Sequence, residues 1–210
     1  MFTGIVQGKT QIQHIEEHPS SKTLQIVLPV LSQSPLQIGA SVAINGVCLT
    51  VTSFEAEHDA LLVSFDVIEQ TLALTNLGLL SPASWVNFER SMRLSDEIGG
   101  HQVSGHVDTT VTLQSMKQSS DSCYMHFSFP ENLAKYLFSQ GFVALNGCSL
   151  TIAAIDYAKS ELTIALIPET LESTIFGELQ VGDKINLELE RQTQAVVDTV
   201  ERILQQRLPQ

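Results

Sequence analysis

Two short motifs carry the side chains best suited to chemistry in this sequence. The first places Cys48 and Thr50 two residues apart, and the second places Ser149 and Thr151 at the same spacing. Residues two apart on a strand share a face, so each motif would present a thiol or a hydroxyl beside a threonine. The thiol or hydroxyl can serve as a nucleophile or hydrogen-bond partner, and threonine can donate to ring carbonyls or ring nitrogens. The alternative is a small core residue for Cys48 and a hydroxyl bonded to a backbone carbonyl for Ser149.

The two motifs are copies of each other. Residues 42–51 (VAINGVCLTV) and 143–152 (VALNGCSLTI) align at a shift of 101 residues, which places Cys48 opposite Ser149. This equivalence favours a functional role, because serine is polar where a core residue should be apolar. In each copy Asn-Gly can supply the two positive-φ positions of a type I′ turn, so each copy predicts a β-hairpin.

A histidine marks a second difference between the copies. Residues 103–107 (VSGHV) align with residues 2–6 (FTGIV) at the same shift, so His106 stands where the first copy has Ile5. Histidine titrates near neutrality and can take a proton or orient water, and we interpret His106 as a candidate acid–base group. His101 ends a linker whose paired glycines suit unusual backbone angles, and it is equally well interpreted as a cap of that linker.

The repeat predicts two similar domains of about six short strands each. A first strand is expected over residues 2–7, at the start of the aligned region. Short helices are expected at residues 69–78 and 168–177, stopped by Gly78 and Gly177, and a strand closes each copy.

Composition excludes several classes of protein. With 43% hydrophobic and 16% charged residues the chain is not disordered, and no apolar run approaches the roughly 20 residues of a membrane span. A net charge of −12 disfavours nucleic acid and anionic lipid as partners. The three cysteines are odd in number and lack a Cys-x-x-Cys spacing, which argues against disulfides and zinc. With no signal-peptide pattern at the start, we expect a cytoplasmic protein.

The end of the chain predicts an amphipathic helix that belongs to neither copy. Its apolar stripe can be buried by self-association in an oligomer or by docking on the second copy, and both interpretations stay open. The stripe consists of Val196, Val197, Val200, Ile203, Leu204 and Leu208.

Several features taken together resemble the riboflavin synthases of the α-chain type. They are the start MFTGIV, the two Asn-Gly hairpins, SDEIGGH at residues 95–101, IPETL at residues 167–171 and QTQAVVD at residues 192–198. The resemblance runs from end to end and implies an all-β fold of two similar six-stranded Greek-key β-barrels in tandem plus a C-terminal α-helix. The implied domains are a lumazine-binding barrel at 1–97, a second at 98–190, and an oligomerisation helix at 191–210.

The resemblance also implies a reaction. Two molecules of 6,7-dimethyl-8-ribityllumazine would react by transfer of a four-carbon unit, giving riboflavin and 5-amino-6-ribitylamino-uracil without metal or cofactor. It further implies a homotrimer in which the reacting pair lies between the N-terminal barrel of one subunit and the C-terminal barrel of its neighbour. Lumazine synthase is a candidate protein partner. The alternatives are a non-catalytic lumazine- or flavin-binding protein of the same fold and a purely structural β tandem.

Cys48, His106, Ser149 and Thr151 are the expected catalytic residues. Expected substrate contacts in the first copy are Phe2, Gly4, Ile5, Val6, Ser41, Cys48, Leu49, Thr50, Asp66, Val67, Ile68, Glu69, Gln70 and Thr71. In the second copy they are Gly105, His106, Val107, Gln140, Ser149, Leu150, Thr151, Ala165, Leu166, Ile167, Pro168, Glu169, Thr170 and Glu190.

Two of these residues have an alternative interpretation, and two others differ from the residue that relatives commonly have. Phe2 would stack on the ring or fill the barrel, and Asp66 would face the pocket or cap the following helix. Relatives commonly carry lysine where this chain has Gln140 and aspartate where it has Glu190, so a slower reaction is one expectation.

Overall fold

The computed structural model describes residues 1–30 and 35–207. These residues form twelve β-strands, three α-helices and three short 3-10 turns. The first half contains β1 (Gly8–His18), β2 (Ser21–Pro29), β3 (Ser41–Ile44), β4 (Val47–Glu57), β5 (Ala60–Ile68), α1 (Glu69–Leu74), a 3-10 turn (Asn76–Leu79) and β6 (Trp85–Arg90). The second half contains β7 (Thr109–Gln118), β8 (Cys123–Ser128), a 3-10 turn (Glu131–Tyr136), β9 (Phe142–Leu145), β10 (Cys148–Asp156), β11 (Glu161–Leu166), α2 (Pro168–Ser173), a 3-10 turn (Ile175–Glu178) and β12 (Lys184–Leu189), and α3 (Arg191–Arg207) follows.

Each half closes into a six-stranded antiparallel barrel. The strand order is β1-β2-β5-β4-β3-β6 in the first barrel and β7-β8-β11-β10-β9-β12 in the second, so the two connect their strands identically. The strands form because apolar residues alternate with polar ones: in β2, Leu24, Ile26 and Leu28 are buried while the residues between them are half-exposed. The predicted fold of two six-stranded barrels and a C-terminal helix is confirmed.

Each barrel encloses its own apolar core. Phe65, Leu24 and Ile26 are among the fully buried residues of the first core, and Phe127 and Leu113 are among those of the second. A third, smaller cluster lies between the barrels and consists of Phe2, Ala43, Val103 and Ala144. The two hairpins that carry Cys48 and Ser149 therefore meet each other across an apolar contact.

The Asn-Gly turns lie at the contact between the barrels. Asn45 and Gly46 have φ of 46° and 77°, and Asn146 and Gly147 have φ of 43° and 80°, as the predicted type I′ turns require. A Cβ on Gly46 would lie 2.5 Å from the Gly147 nitrogen, so the two turns touch through their main chains. These glycines serve both the turn and the close approach of the barrels.

Five asparagines form a buried hydrogen-bond network around these turns. One pair of bonds obeys the pseudo-twofold symmetry: Asn87 Nδ2 donates to the Asn146 carbonyl at 3.0 Å, and Asn186 Nδ2 donates to the Asn45 carbonyl at 2.8 Å. Asn76 breaks the symmetry, because its Nδ2 donates to Asn146 Oδ1 and its Oδ1 accepts from Asn186 Nδ2.

Ile175 stands at the position equivalent to Asn76 in the second half and supplies no polar side-chain atom. As a result, Asn146 Nδ2 is buried without a hydrogen-bond partner among the described residues. The network is therefore complete on one side of the contact and one acceptor short on the other.

The predicted first strand over residues 2–7 is wrong. Residues 2–7, which we name the first lead segment, make a single bridge from Phe2 to Val103, and β1 begins only at Gly8. The second lead segment, residues 103–108, is likewise outside the strands, and β7 begins at Thr109. The aligned region of each copy thus starts with an extended segment that is not part of its own barrel.

The two predicted helices are shorter than expected. Residues 69–78 break at Thr75, which has an extended backbone and accepts a hydrogen bond from the Leu77 N–H, so α1 ends at Leu74. Gly78 does not stop the helix: a Cβ there would lie 2.4 Å from the Leu72 carbonyl oxygen. Gly177 has the same relation to the Leu171 carbonyl, so both glycines permit a close main-chain contact.

Helix α3 begins at Arg191. It contacts the second barrel through polar pairs at the Glu131–Tyr136 turn, where Lys135 bonds to Glu201 and Tyr136 to Asp198. Its apolar stripe remains exposed at Val196, Val200, Ile203 and Leu204, and Leu208 lies outside the described residues. No helix among residues 1–30 and 35–207 combines the length and apolar character needed to cross a membrane.

Candidate functional site

Each lead segment lies on the hairpin of the other barrel. The Gly4 carbonyl accepts a hydrogen bond from Ser149 N at 2.8 Å, and the Gly105 carbonyl accepts one from Cys48 N at 2.8 Å. The first lead segment thus covers the Ser149 hairpin and the second covers the Cys48 hairpin. We name these two places the second site and the first site.

Glycine is required at both crossing points. Gly4 has φ of +73° and Gly105 has φ of +83°, in the left-handed region that L side chains rarely adopt. A Cβ on Gly4 would lie 2.6 Å from the Ser149 Cβ, and a Cβ on Gly105 would lie 2.6 Å from the Cys48 Cβ. The lead segments can approach Ser149 and Cys48 this closely because the residue at each crossing point, Gly4 or Gly105, has no side chain.

A buried glutamate anchors each lead segment to its own barrel. Glu89 Oε1 accepts from Thr3 N at 2.7 Å and Thr3 Oγ1 at 2.8 Å. Glu188 Oε1 accepts the same two bonds from Ser104, each at 2.7 Å, and its Oε2 accepts from Gly105 N at 3.0 Å. Every lead segment is therefore tied to one barrel by a carboxylate and to the other by a backbone hydrogen bond.

The two glutamates differ in how well they are satisfied. Glu89 Oε2 is buried with no hydrogen-bond partner among the described residues, and burial raises the pKa of Glu89 to about 7. Burial also raises the pKa of Glu188, but the bonds from Ser104 and the charge of Arg191 oppose that rise. Near neutral pH, Glu89 is thus partly protonated.

The first site is built on the outer face of β3 and β4. Cys48 is half-buried and Thr50 is exposed, so both side chains lie outside the barrel as their spacing predicted, and Ser41 pairs with Thr50 across the hairpin. His106 follows Gly105 on the covering segment, with its side chain exposed and its N–H bonded to Ser104 Oγ. Within the described part of the chain, the Cys48 thiol makes no hydrogen bond and no disulfide.

The second site has the same frame with different side chains. Ser149 is half-buried and Thr151 is exposed on the outer face of β10, and Phe142 pairs with Thr151 where the first site has Ser41. Gln140, exposed with φ of 68°, lies in the turn before β9. Ile5 is exposed on the covering segment, at the position that His106 occupies in the first site.

His101, which is interpreted equally well as a cap of the linker and is not among the expected catalytic residues, completes the second site. His101 Nδ1 lies 2.6 Å from Ser149 Oγ, and the His101 main-chain N–H donates to the same oxygen at 3.1 Å. The imidazole is buried, and it stacks on Phe142 with ring centroids 5.4 Å apart. Ser149 and His101 form a hydroxyl–imidazole pair of the kind that activates a hydroxyl or moves a proton.

Burial sets the protonation state of this pair. It lowers the pKa of His101, and the negative charge of Glu190 opposes that shift. The imidazole is therefore neutral at pH 7, in the form that can accept the Ser149 proton at Nδ1. The buried Cys148, next to Ser149 in sequence, is unsuited to nucleophilic chemistry because burial raises the pKa of its thiol to about 12.

The glycine pair before His101 was the signal that could have identified it. We expected Gly99 and Gly100 to adopt unusual backbone angles, but neither is among the positive-φ glycines. A Cβ on Gly100 would instead lie 2.6 Å from the Ser149 Cβ and 2.6 Å from the Thr3 carbonyl oxygen. The pair is needed because the linker crosses the Ser149 hairpin, and that crossing delivers His101 to the site.

Residues 66–71 and 165–170, the expected contact segments, lie where β5 leads into α1 and where β11 leads into α2. Asp66 does not cap α1: the N-cap is Ile68, and Asp66 Oδ1 accepts a bond from Thr23 Oγ1 at 2.7 Å. Ile68 and Ile167 are exposed at equivalent positions, 58% in each case. Both segments therefore offer an exposed apolar side chain, whereas the Glu69 N–H and the Ile167 carbonyl are already bonded within the chain.

The expected contact residues fall into three groups by exposure. The exposed ones are Ile5, Thr50, Asp66, Ile68, Glu69, Gln70, His106, Gln140, Thr151, Ala165, Ile167, Pro168 and Glu169, and the half-buried ones are Val6, Ser41, Cys48, Thr71, Ser149, Thr170 and Glu190. The side chains of Phe2, Leu49, Val67, Val107, Leu150 and Leu166 are buried, as are Gly4 and Gly105. For this last group only the main chain is placed to contact a ligand, and Phe2 packs between the barrels.

Arg191 at the start of α3 ties the helix to the first site. Its guanidinium pairs with Asp108 Oδ1 at 3.0 Å and donates to the His106 carbonyl. Glu190, one residue earlier, accepts a bond from Thr193 Oγ1. Among the described residues, no cluster of three or more His, Cys, Asp or Glu side chains is arranged to hold a metal ion.

Comparison with known proteins places this frame in a family. The model of the lumazine binding domain matches the chain twice, at residues 3–91 and 104–190. The riboflavin synthase of Escherichia coli strain K12 is 44% identical over 97% of this chain and 93% of its own length, and that of Bacillus subtilis strain 168 is 35% identical over 90% and 84%.

A solved structure shares the whole arrangement. The crystal structure of LumP complexed with riboflavin superposes with a TM-score of 0.80 at 25% identity, covering 90% of this chain and 100% of that one. Two domain matches and full-length relatives of this kind are sufficient evidence of common descent. The chain belongs to the riboflavin synthase family.

Proposed function

We propose that the chain catalyses the dismutation of two 6,7-dimethyl-8-ribityllumazine molecules. One molecule gives up a four-carbon unit and the other receives it, so the products are riboflavin and 5-amino-6-ribitylamino-uracil. The observation that carries the proposal is the pair of sites built on one main-chain frame, each closed by the lead segment of the other half. Two identical substrates in opposite roles need two similar places to bind.

Binding both rings side by side supplies part of the rate enhancement. Holding two reactants in a reactive arrangement can lower the barrier by up to about 7–11 kcal/mol, because translational and rotational freedom is lost before the reaction. Donation of the four-carbon unit requires loss of a proton from the 7-methyl group of one ring, and acceptance requires addition of a nucleophile at C7 of the other. The chain therefore needs one proton acceptor and one activated hydroxyl or water.

The second site supplies the activated hydroxyl in this proposal. Neutral His101 accepts the Ser149 proton at Nδ1 over 2.6 Å, and Ser149 Oγ, or a water that it orients, adds to C7. Thr151, exposed on the same face, donates to a ring acceptor. Glu190 stabilises the imidazolium that forms, because its negative charge acts on His101.

The first site supplies the proton acceptor. His106 is exposed on the segment that covers Cys48, so it is free to take the methyl proton or to orient water. Cys48 and Thr50 then bind the ring through their thiol and hydroxyl groups. Gly105 keeps His106 next to Cys48, since its carbonyl is bonded to the Cys48 N–H.

Residues 66–71 and 165–170 complete the two binding places. Ile68 and Ile167 present exposed apolar surface to the ring, and main-chain amides there bind the pyrimidinedione. Thr71 and Thr170 bond to the ribityl chain. Gln140 can give only a neutral hydrogen bond where relatives commonly carry lysine, so charge that develops on the ring is less stabilised.

We also propose that three chains assemble through α3. The exposed stripe of Val196, Val200, Ile203 and Leu204 is the surface that association would bury. In such a homotrimer the N-terminal barrel of one subunit faces the C-terminal barrel of its neighbour, and the reacting pair lies between them. Deleting residues 191–210 should lower the native mass measured by light scattering, and an unchanged mass would refute this role.

The test of the activity is direct. Purified protein incubated with 6,7-dimethyl-8-ribityllumazine should develop riboflavin fluorescence and release one riboflavin for every two lumazines consumed. The second candidate is a non-catalytic lumazine- or flavin-binding protein, favoured by the structural match to LumP complexed with riboflavin. Binding of lumazine with no turnover would support that candidate and overturn the proposed reaction.

Two further expectations stay predictions. A complex with lumazine synthase is tested by co-sedimentation of the two purified proteins, and separate sedimentation would exclude it. A cytoplasmic location is tested by fractionation of the source cells, with the protein expected in the cytoplasmic fraction.

A further inference from the structure

One side chain of the second site has no part in the steps above. Phe142 is the first residue of β9, and its ring stacks on the His101 imidazole with centroids 5.4 Å apart and an interplanar angle of 21°. Although it touches a buried histidine, Phe142 is itself 43% exposed.

The equivalent position in the first site is Ser41, which pairs with Thr50 as Phe142 pairs with Thr151. The backbone at the two positions is the same, since each begins the third strand of its barrel. The aromatic ring therefore occurs only in the site that also contains the hydroxyl–imidazole pair. This coincidence links Phe142 to His101 rather than to the barrel frame.

His101 needs support that its own segment does not provide. It ends an irregular stretch of turns and bends, so neither a helix nor a strand constrains its side chain. Ser149 Oγ contacts one edge of the imidazole and the Phe142 ring contacts one face. An edge contact and a face contact together define the orientation of a planar ring, whereas the hydrogen bond alone leaves rotation about its axis free.

We propose that Phe142 is a positioning residue for the second site, and that its ring holds the His101 imidazole in the orientation that places Nδ1 on Ser149 Oγ. The effect on catalysis rests on the proposed function, while the effect on His101 itself does not. A leucine at position 142 would keep an apolar side chain on β9 but would remove the flat face. The imidazole would then rotate and become more accessible to water.

The groups around His101 define the direction in which its pKa should change when the Phe142 ring is removed. They are the Ser149 hydroxyl, the Phe142 ring and the negative charge of Glu190, which is the charged group that acts on the imidazole among the described residues. Removing the ring reduces desolvation and leaves the Glu190 charge in place. Both effects favour the protonated form, so the pKa of His101 should rise toward its ordinary value or above it.

The first measurement follows His101 directly. NMR titration of the His101 Cε1–H resonance, assigned with His101→Gln, should give a higher pKa in Phe142→Leu than in the natural protein. Phe142→Tyr should keep the natural value because it keeps the ring. Tyr157→Leu is the matched control, since Tyr157 is also an exposed aromatic, 55%, and lies in the turn between β10 and β11 rather than among the site residues. An unchanged His101 titration in Phe142→Leu would overturn the proposal.

The second measurement separates positioning from substrate contact. Phe142→Leu should lower kcat about tenfold with little change in KM, because the general-base contribution of a misaligned group is partly lost. In a His101→Gln background the same substitution should have no further effect, since the two residues act as a unit. An equal loss in both backgrounds would mean that Phe142 binds substrate independently and would overturn the positioning role. If the natural protein had no turnover, the proposed reaction would fail and the NMR titration alone would decide.

Discussion

The first and second sites share their main-chain frame and differ in the side chains that face out of it. Each site has an Asn-Gly hairpin, a crossing glycine at positive φ and a buried glutamate anchor. The first places a thiol beside an exposed histidine on the covering segment. The second places a hydroxyl against a buried histidine that comes from the linker.

This difference indicates a division of roles. An exposed imidazole exchanges protons with water and suits removal of a proton from a bound ring, whereas a buried neutral imidazole suits activation of one hydroxyl. The frame was preserved because the glycines and glutamates hold the lead segments between two barrels. In the proposed reaction the two substrates react in opposite ways, which accounts for the different side chains on the two frames.

The largest expected effect is a difference in kcat between substitutions at Ser149 and substitutions at Cys48. Ser149→Ala and His101→Gln should each lower kcat by about 100-fold or more, because the hydroxyl–imidazole pair is lost. Cys48→Ala should cost about tenfold, since the Cys48 thiol has no base bonded to it among the described residues. Riboflavin formation measured by fluorescence checks both, with Ser115→Ala, at an exposed position on β7, as control. Equal losses at positions 48 and 149 would show that the sites do not differ in the way described.

The crossing glycines should be the next most sensitive positions. Gly4→Ala and Gly105→Ala should each lower the free energy of unfolding by about 3 kcal/mol, because a Cβ would lie 2.6 Å from a partner Cβ in a strained backbone. Gly182→Ala is a matched control, since Gly182 has φ of +102° with nothing within 4 Å. It should cost about 1 kcal/mol in urea unfolding. Similar costs at all three positions would argue against the tight crossing.

The asparagine network offers a reciprocal pair of substitutions. Asn76→Ile should lower the free energy of unfolding by about 2–3 kcal/mol, because Asn45, Asn146 and Asn186 each lose a buried partner. Ile175→Asn should be neutral or stabilising by about 1 kcal/mol, since it can provide an acceptor for Asn146 Nδ2. Denaturant unfolding measures both free energies. If Ile175→Asn destabilised the protein, then Asn146 Nδ2, which is unpaired among the described residues, would not be the group whose missing hydrogen bond lowers stability.

The two glutamate anchors should respond differently to pH. The folded-state pKa of Glu89 is about 7 against 4.5 for an unburied glutamate, so the native state binds the extra proton between these values. The contribution of Glu89 to the free energy of unfolding must then fall as pH rises from about 4.5 to about 7. Glu89→Gln should remove that fall, a change of about 3 kcal/mol across the window.

Glu188→Gln is the matched comparison for Glu89→Gln. Its amide would place a donor against the Gly105 N–H that now bonds to Oε2, so it should destabilise at every pH. Chemical unfolding of both variants between pH 4.5 and 8 measures the contrast. A pH profile that Glu89→Gln leaves unchanged would contradict the protonated state of Glu89.

Much of this fold could be predicted from the sequence, because the repeat marks every major element twice. Asn-Gly defined the hairpin turns, but the first strand of each copy was expected on the lead segment and instead begins at Gly8 and at Thr109. The crossing of the lead segments could not be predicted, since residues 2–7 have the composition of a strand and only the partner hairpin decides their path. For the same reason Phe2 packs between barrels rather than inside one.

The candidate site was predicted in part. Cys48 and Ser149 were identified because the repeat aligned them and they differ in chemistry. His101 was not, because its contact with Ser149 spans 48 residues and depends on the close passage of Gly100. A glycine pair that permits close approach and one that permits unusual angles look identical in a sequence.

The central claim is that each barrel holds one ligand in a place closed by the other half's lead segment. Riboflavin titrated against the natural protein and followed by fluorescence quenching should show two bound molecules per chain with two affinities. Gly4→Ala should weaken the binding class that Ser149→Ala also changes, and Gly105→Ala should weaken the class that Cys48→Ala changes. One bound molecule per chain, or both glycine variants weakening the same class, would contradict the account.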